Sequence, residues 1–216
     1  MFLFFVRHAQ SETSNGYWQT PDSKLGKLGE KQAEVLSKRS RFSGLDKIFS
    51  SSWERGKKTA EIISKNLGVE NETLDYIHER EQLPQMYGAA RDSDISQKYV
   101  EEYYKNYKNL DWKFKNKEES IRGVLKRASK FAKFLEGNYQ DKRVLTISHD
   151  MFIRCFISIA LLGKNYPDYT MANTINSLTI NHTGISLLIY SSSRKIWKVN
   201  YINDYSHLKF TAKKSS

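Results

Sequence analysis

Two histidines and two arginines stand within a few residues of the ends of apolar or small-residue runs in this chain. Arg7 and His8 come after "FLFFV", Ser52 and Arg55 after "IFSS", and His149 after "VLTIS". These residue types suit work on an anion. Arginine is permanently charged and grips a phosphate through two parallel hydrogen bonds. A pair of arginines can neutralise a phosphate dianion and stabilise the charge that spreads during its transfer. A neutral imidazole can attack phosphorus and become a covalent phosphohistidine, which splits one hard transfer into two easier steps. The leaving oxygen then needs a proton, which calls for a positioned carboxylic acid. With no cysteine beside them and no Cys-rich zinc framework, the set reads as an anion site rather than a metal site. Taken singly, each residue also has an ordinary role: Arg7 can solvate a strand end, and His8 can be a hydrogen-bonded loop histidine.

The elements around these residues explain why they would meet. "FLFFV" (2–6) is apolar on both faces and reads as a buried strand. "LDKIFSSS" (45–52) reads as a second strand, and "RVLTISH" (143–149) as a third. "LGKLGEKQAEVLSKRS" (25–40) predicts a helix with Leu28, Gln32, Ala33 and Leu36 recurring at three- and four-residue steps. A helix over 53–68 has Ser52 as its expected N-cap and Gly68 as its stop. "EESIRGVLKRASKFAKFLEG" (118–137) is the clearest amphipathic helix, and "MFIRCFISIALLG" (151–163) a buried one. "ISLLIY" and "WKVNYIN" are late strands. Alternating strands and helices predict an α/β fold, a three-layer sandwich whose mostly parallel central sheet is flanked by helices. In such a sheet, ligand sites form beyond the carboxyl ends of the strands. The polar, Tyr- and Lys-rich stretch near 80–117 breaks the pattern and reads as a helical or loop insertion, or lid. Residues 1–210 then form a single domain, with 211–216 as a frayed tail.

Composition narrows the class. The chain has 216 residues, 39% hydrophobic content, 13 Tyr, 11 Phe and 4 Trp, enough for one sizeable core. Cys155 is the only cysteine, so no internal disulfide forms, and its apolar setting suggests a small packed hydrophobe. The opening apolar run is too short for a signal peptide and no run reaches membrane-spanning length. The reading is a cytoplasmic protein. The formal charge is +11, which favours anionic partners. The lysines are scattered rather than gathered on one face, which weighs against nucleic acid and towards a phosphorylated small molecule. Oligomeric state is not legible.

The motifs together resemble the histidine phosphatase superfamily, which includes the cofactor-dependent phosphoglycerate mutases. "FFVRHAQSE" resembles its Arg-His-Gly/Ala motif, and "DSKLGKLGEKQAEVL" its D-x-x-L-T-x-x-G-x-x-Q-A stretch. "IFSSSWERGKKTAEII" is similar to V-x-S-S-x-x-x-R-x-x-x-T-A, and "VLTISHDMFIR" to V-x-H-G-x-x-I-R. "NTINSLTINHTGISLL" and "NDYSHL" fit its C-terminal strands. Four ordered motifs carry far more weight than one Arg-His pair. The resemblance implies that His8 is the nucleophile, that Arg7 and Arg55 hold the phosphoryl group, and that His149 contacts its oxygens. It places the acid in "IHEREQLPQMYG", at Glu79 or, two residues on, at Glu81. It implies no metal and no cofactor. His78 and His182 read as structural or exposed, and His207 as a support.

Some positions depart from the pattern. Ala9 stands where Gly is frequent. The Asn expected six residues after the nucleophile is Ser14, with Asn15 next, so these two are the candidates for that phosphate contact. Asp150 stands where Gly usually follows the second histidine. A carboxylate there either raises the His149 pKa or caps the helix at 151, and the cap is the simpler reading. Phosphoglycerate mutases carry E-R-H-Y-G-x-L-x-G, whereas this chain has "EREQLPQMYG" and is shorter. The expectation is therefore a metal-independent phosphatase that cleaves a phosphomonoester through phosphohistidine on His8. The alternatives are a mutase-type phosphotransferase and a catalytically inactive phosphate-binding protein.

Overall fold

A computed structural model describes residues 1–13, 16–163 and 165–210. Ser14, Asn15 and the 211–216 tail therefore lie outside the described residues. Six strands form one sheet: β1 (Phe2–Arg7), β2 (Lys47–Ser51), β3 (Asn71–Leu74), β4 (Arg143–Ser148), β5 (Ile185–Ser191) and β6 (Ile196–Asp204), in the order β3-β2-β4-β1-β5-β6. The first four of that order are parallel. β5 and β6 are antiparallel additions on the β1 side.

Side-chain alternation along β1 sorts the two apolar layers. Leu3 and Phe5 face one way, and Phe4 and Val6 the other. The Phe4 and Val6 face packs with Leu36 of α1 (Lys27–Ser37) and with Ala60 and Ile63 of α2 (Glu54–Leu67). The opposite face packs on α4 (Ile121–Asn138), α5 (Asp150–Leu162) and α6 (Asp168–Ser177). Phe5 meets Phe131, Phe152 and Phe156 edge-on, with centroids 4.8–6.4 Å apart. Such aromatic pairs add to simple area burial and fix the β1 floor against α4 and α5. Cys155 is fully buried in this layer, as its apolar neighbours suggested. No helix among the described residues is long and apolar enough to cross a membrane.

Several local expectations need correction. Leu28 is exposed, and the buried face of α1 is Gly29, Ala33 and Leu36. Ser52 does not cap α2. Trp53 holds the cap position, and Ser51 Oγ accepts its N–H at 3.1 Å. Gly68 does end α2, at φ 66° in the left-handed region that glycine enters without strain. The start of "NTINSLTINHTGISLL", residues 173–177, belongs to helix α6 rather than to a strand, and the polar edge strand β3 had no counterpart in the sequence reading. The stretch near 80–117 carries α3 (Asp94–Asn106) and its own apolar cluster of Leu83, Met86, Tyr99 and Phe114. Lys105, Lys108, Lys113, Lys115 and Lys117 all point to solvent.

Candidate active site

The sheet order β2-β4-β1 puts the carboxyl ends of three parallel strands side by side. Arg7 ends β1, Ser51 ends β2, and Ser148 ends β4. His8, Arg55 and His149, the residues just beyond, converge there. Arg55 links the two histidines. Its Nε donates to His8 Nε2 at 3.0 Å, and its Nη2 donates to His149 Nδ1 at 3.2 Å. A third donor, Nη1, reaches the Thr20 carbonyl at 2.8 Å. Arg55 is only 2% exposed, and burial pushes its pKa down to about 10, still charged at neutral pH.

These contacts determine both tautomers. His8 Nδ1 lies 2.8 Å from the Ala9 carbonyl, which can only accept, so Nδ1 carries the proton. His8 Nε2 therefore keeps its lone pair and faces the Arg55 N–H. On His149 the assignment is reversed: Nδ1 accepts from Arg55, and Nε2–H donates to Ser51 Oγ at 2.8 Å. Burial, then the Arg55 charge, holds the His8 pKa well below the usual imidazole value. Burial and Arg55 act on His149 in the same direction. Both rings are neutral at physiological pH.

Close backbone approaches hold this arrangement. A Cβ on Gly29 would fall 2.0 Å from the Gln10 carbonyl, so α1 can press onto the loop after His8 only with glycine there. Gly26 N–H donates to that same carbonyl at 3.1 Å. Thr59 Oγ1 accepts the Ala9 N–H at 3.0 Å and donates to the Arg55 carbonyl at 2.6 Å, joining the His8 loop to α2. Gly56 lets α2 lie close to the end of β2, since a Cβ there would sit 3.1 Å from Ser51 Cβ, tighter than an ordinary contact.

Arg7 donates through Nη1 to the Ile180 carbonyl at 2.7 Å. Its buried Nε has no hydrogen-bond partner among the described residues. Glu79 and Glu81 separate clearly. Glu79 lines the cleft with Arg7, His8 and Arg55, whereas Glu81 is exposed and lies 3.7 Å from His78 Nε2. The Glu79 carboxylate accepts from Arg80 N–H at 2.9 Å and from Met151 N–H at 3.1 Å. Burial and the nearby Asp150 charge raise its pKa, against opposing pulls from the Arg80 N–H, Arg7 and Arg55. Arg127 of α4 holds the loop by donating to the Tyr76 and His78 carbonyls, while Glu119 anchors its other nitrogens.

Asp150 takes neither expected role. It is the first residue of α5 and turns back to Arg154 at 3.3 Å, leaving Glu79 to cap the helix through Met151. The His149 pKa is lowered rather than raised. His182 also needs correction: it is a site neighbour. Its ring centroid lies 5.1 Å from that of His8, and its Nδ1–H donates to the His8 carbonyl at 3.1 Å. Burial, then Arg7, lowers its pKa to about 4. Because β5 runs antiparallel to β1, the residues preceding β5 lie beside the carboxyl end of β1. His78 does read correctly, stacked on Trp53 at 5.5 Å. His207 Nε2 contacts Thr183 Oγ1 at 3.0 Å, and the Thr183 N–H donates to the Arg7 carbonyl at 2.9 Å.

The cleft measures about 480 Å³, and its outer wall carries Trp18, Tyr87, Arg91, Tyr99, Tyr103 and Tyr104. A larger cavity of about 540 Å³ lies along α4 and contains none of the groups above. The described residues contain no His/Cys/Asp/Glu cluster able to hold a metal ion.

Among solved structures, the fold is similar to that of "Mycobacterial hydrolase 1", with a TM-score of 0.78 and 20% identity over 94% of this chain and 97% of that one. It is also similar to a mycobacterial glucosyl-3-phosphoglycerate phosphatase in complex with VO3, with a TM-score of 0.74 and 21% identity over 94% and 98% of the two chains. A phosphoserine phosphatase mutant from Entamoeba histolytica, in complex with phosphoserine, gives 0.75 and 20% identity over 96% and 98%. At such identities the likeness speaks for the fold. No curated protein matches the sequence. The family itself is shown by the sequence: residues 3–204 match the histidine phosphatase superfamily (branch 1), and the chain belongs to that family.

Proposed function

We propose that this protein is a metal-independent phosphatase acting on a small phosphomonoester, with His8 as the nucleophile. The observation that carries the reading is the bare Nε2 of His8, held between Arg55 and the cleft while Nδ1–H is fixed on the Ala9 carbonyl. An incoming phosphoryl group takes the Arg55 N–H away from Nε2, which frees the lone pair as the arginine engages a phosphoryl oxygen. Arg7 supplies the second guanidinium, and its unpartnered Nε gains an acceptor. His8 Nε2 then attacks phosphorus in line with the leaving oxygen. The N–P bond forms, the P–O bond breaks, and protonated Glu79 gives its proton to the departing oxygen. In the second step Glu79, now a carboxylate, takes a proton from water as that water attacks phosphorus. The N–P bond breaks, inorganic phosphate leaves, and neutral His8 and protonated Glu79 are restored. His149 holds Arg55 through Nδ1, and its own ring is fixed by the Nε2–H bond to Ser51 Oγ. The raised Glu79 pKa supports its part, because an acid must still hold its proton near neutral pH.

The test is turnover of an aryl phosphate by wild type and His8→Ala in the presence of chelator. Turnover that survives chelation and disappears in the variant is expected. Turnover that is lost with chelator, or kept in the variant, would overturn the proposal.

A further inference from the structure

The charges lining the cleft do not balance for a simple monoester. Five arginines line it: Arg7, Arg55, Arg80, Arg91 and Arg154. Arg80 is neutralised by buried Glu118, and Arg154 is paired with Asp150. A phosphoryl dianion accounts for Arg7 and Arg55, and Glu79 is the proton donor. Arg91 is left over. Among the described residues its side chain makes no ion pair and no hydrogen bond. Its guanidinium carbon lies over the Trp18 ring, 3.6 Å from the ring centroid. Neighbouring bonds fix that pair in place. Arg91 N–H donates to the Gly16 carbonyl at 2.7 Å, Trp18 N–H to the Ala89 carbonyl at 2.9 Å, and Trp18 Nε1 to Ser96 Oγ at 2.9 Å. Stacking on a ring face leaves the in-plane N–H donors of a guanidinium free for an anion.

We infer that the leaving group of the substrate carries a further negative charge, a carboxylate or a second phosphate, and that Arg91 on Trp18 reads it. This rests on the phosphatase reading above and names the substrate class of the same cleft. The remaining wall fits such a polar group: the Tyr103 hydroxyl donates to Asn176 Oδ1, and both residues line the cleft. Arg91 touches the substrate away from the reacting atoms, so it sets affinity and specificity, whereas His8 and Glu79 set the rate of the chemistry.

The experiment compares two esters of nearly equal shape, 4-carboxyphenyl phosphate and its neutral 4-carbamoyl analogue. Wild type and Arg91→Gln are each tested on both. Comparing the ratio between proteins cancels the difference in leaving-group acidity. Expected is a preference for the carboxylate about five- to tenfold larger in wild type, on the scale of one partly exposed charge pair and seen mainly in KM. An unchanged ratio would overturn the inference. Calorimetric affinities of both esters for the His8→Ala protein, with and without Arg91→Gln, repeat the comparison without chemistry. Failure of wild type to hydrolyse either ester would therefore count against the phosphatase reading, while the affinity ratio still decides the role of Arg91.

Discussion

Arg55→Lys is the most informative substitution, because it keeps the charge and removes only the fork. Three acceptors surround Arg55: His8 Nε2 at 3.0 Å, His149 Nδ1 at 3.2 Å and the Thr20 carbonyl at 2.8 Å. Three separate nitrogens serve them. Lysine offers one nitrogen, which cannot span positions set by a planar guanidinium. In the transition state at least one charge-assisted hydrogen bond to the phosphoryl group is lost, worth about 1.5–3 kcal/mol. With the alignment of His8 also loosened, a loss of about 3 kcal/mol is expected, or roughly 10²-fold in kcat/KM. The assay is steady-state hydrolysis of an aryl phosphate, with thermal melting as a check on folding. A second readout is the His8 pKa, followed by NMR in Arg55→Met. The Arg55 charge depresses that pKa, so removing it should move the value up toward the ordinary imidazole range. Activity of Arg55→Lys within threefold of wild type, with an unmoved His8 pKa in Arg55→Met, would refute the bridging role.

Other outcomes follow from the same geometry. Glu79→Gln should cost roughly 10²–10⁴-fold in kcat on alkyl phosphates, and much less on activated aryl phosphates whose leaving oxygen needs no proton; equal losses on both would remove Glu79 as the acid. Stability should fall with acid. His182 has a pKa of about 4 in the fold and about 6.5 when unfolded. Its contribution is thus fully present above about pH 6.5 and lost as pH falls to about 4, roughly 3 kcal/mol in all. Urea unfolding at pH 7 and pH 5 should differ by about 2 kcal/mol from this residue alone, and His182→Asn should flatten the slope; a flat wild-type profile would contradict its burial. Gly29→Ala should lower Tm by roughly 4–10 °C, because its methyl must displace the Gln10 carbonyl. An unchanged melt and unchanged kcat would show that the α1 contact does not position the His8 loop.

Much of the site was legible because strand ends are legible. "FLFFV", "KIFSS" and "VLTIS" are apolar or β-branched runs that stop abruptly, and Arg7-His8, Arg55 and His149 stand just past the stops. Their convergence follows from parallel pairing in adjacent register, Arg7 against Ser148 and Ser50 against Ile147. His182 escaped because its place depends on β5 running antiparallel, and strand direction leaves no mark in local sequence. Likewise β3 is short, polar and at the sheet edge, so "NETL" has no alternation to reveal it. Helix α6 escaped because "DYTMANTINS" mixes polar and small residues, and it is held by Met171, Ala172 and Ile175 packing on the core. Asp150 was misread for a different reason. Sequence placed a carboxylate at a helix start, but the competing carboxylate of Glu79, 72 residues away, takes the free Met151 N–H. Arg127 was visible only as part of an amphipathic helix, yet it ties α4 to the loop that carries Glu79.

The measurement that bears most directly on the central claim is trapping of the intermediate. Wild type mixed with excess substrate, quenched within milliseconds and kept at alkaline pH, should carry one phosphoryl group on the peptide containing His8, labile to acid. Label on that peptide, absent in His8→Ala and present to a greater extent in Glu79→Gln with an activated aryl phosphate, is the predicted result. A wild type that hydrolyses the ester at full rate with no phosphoryl group on His8 would contradict the account.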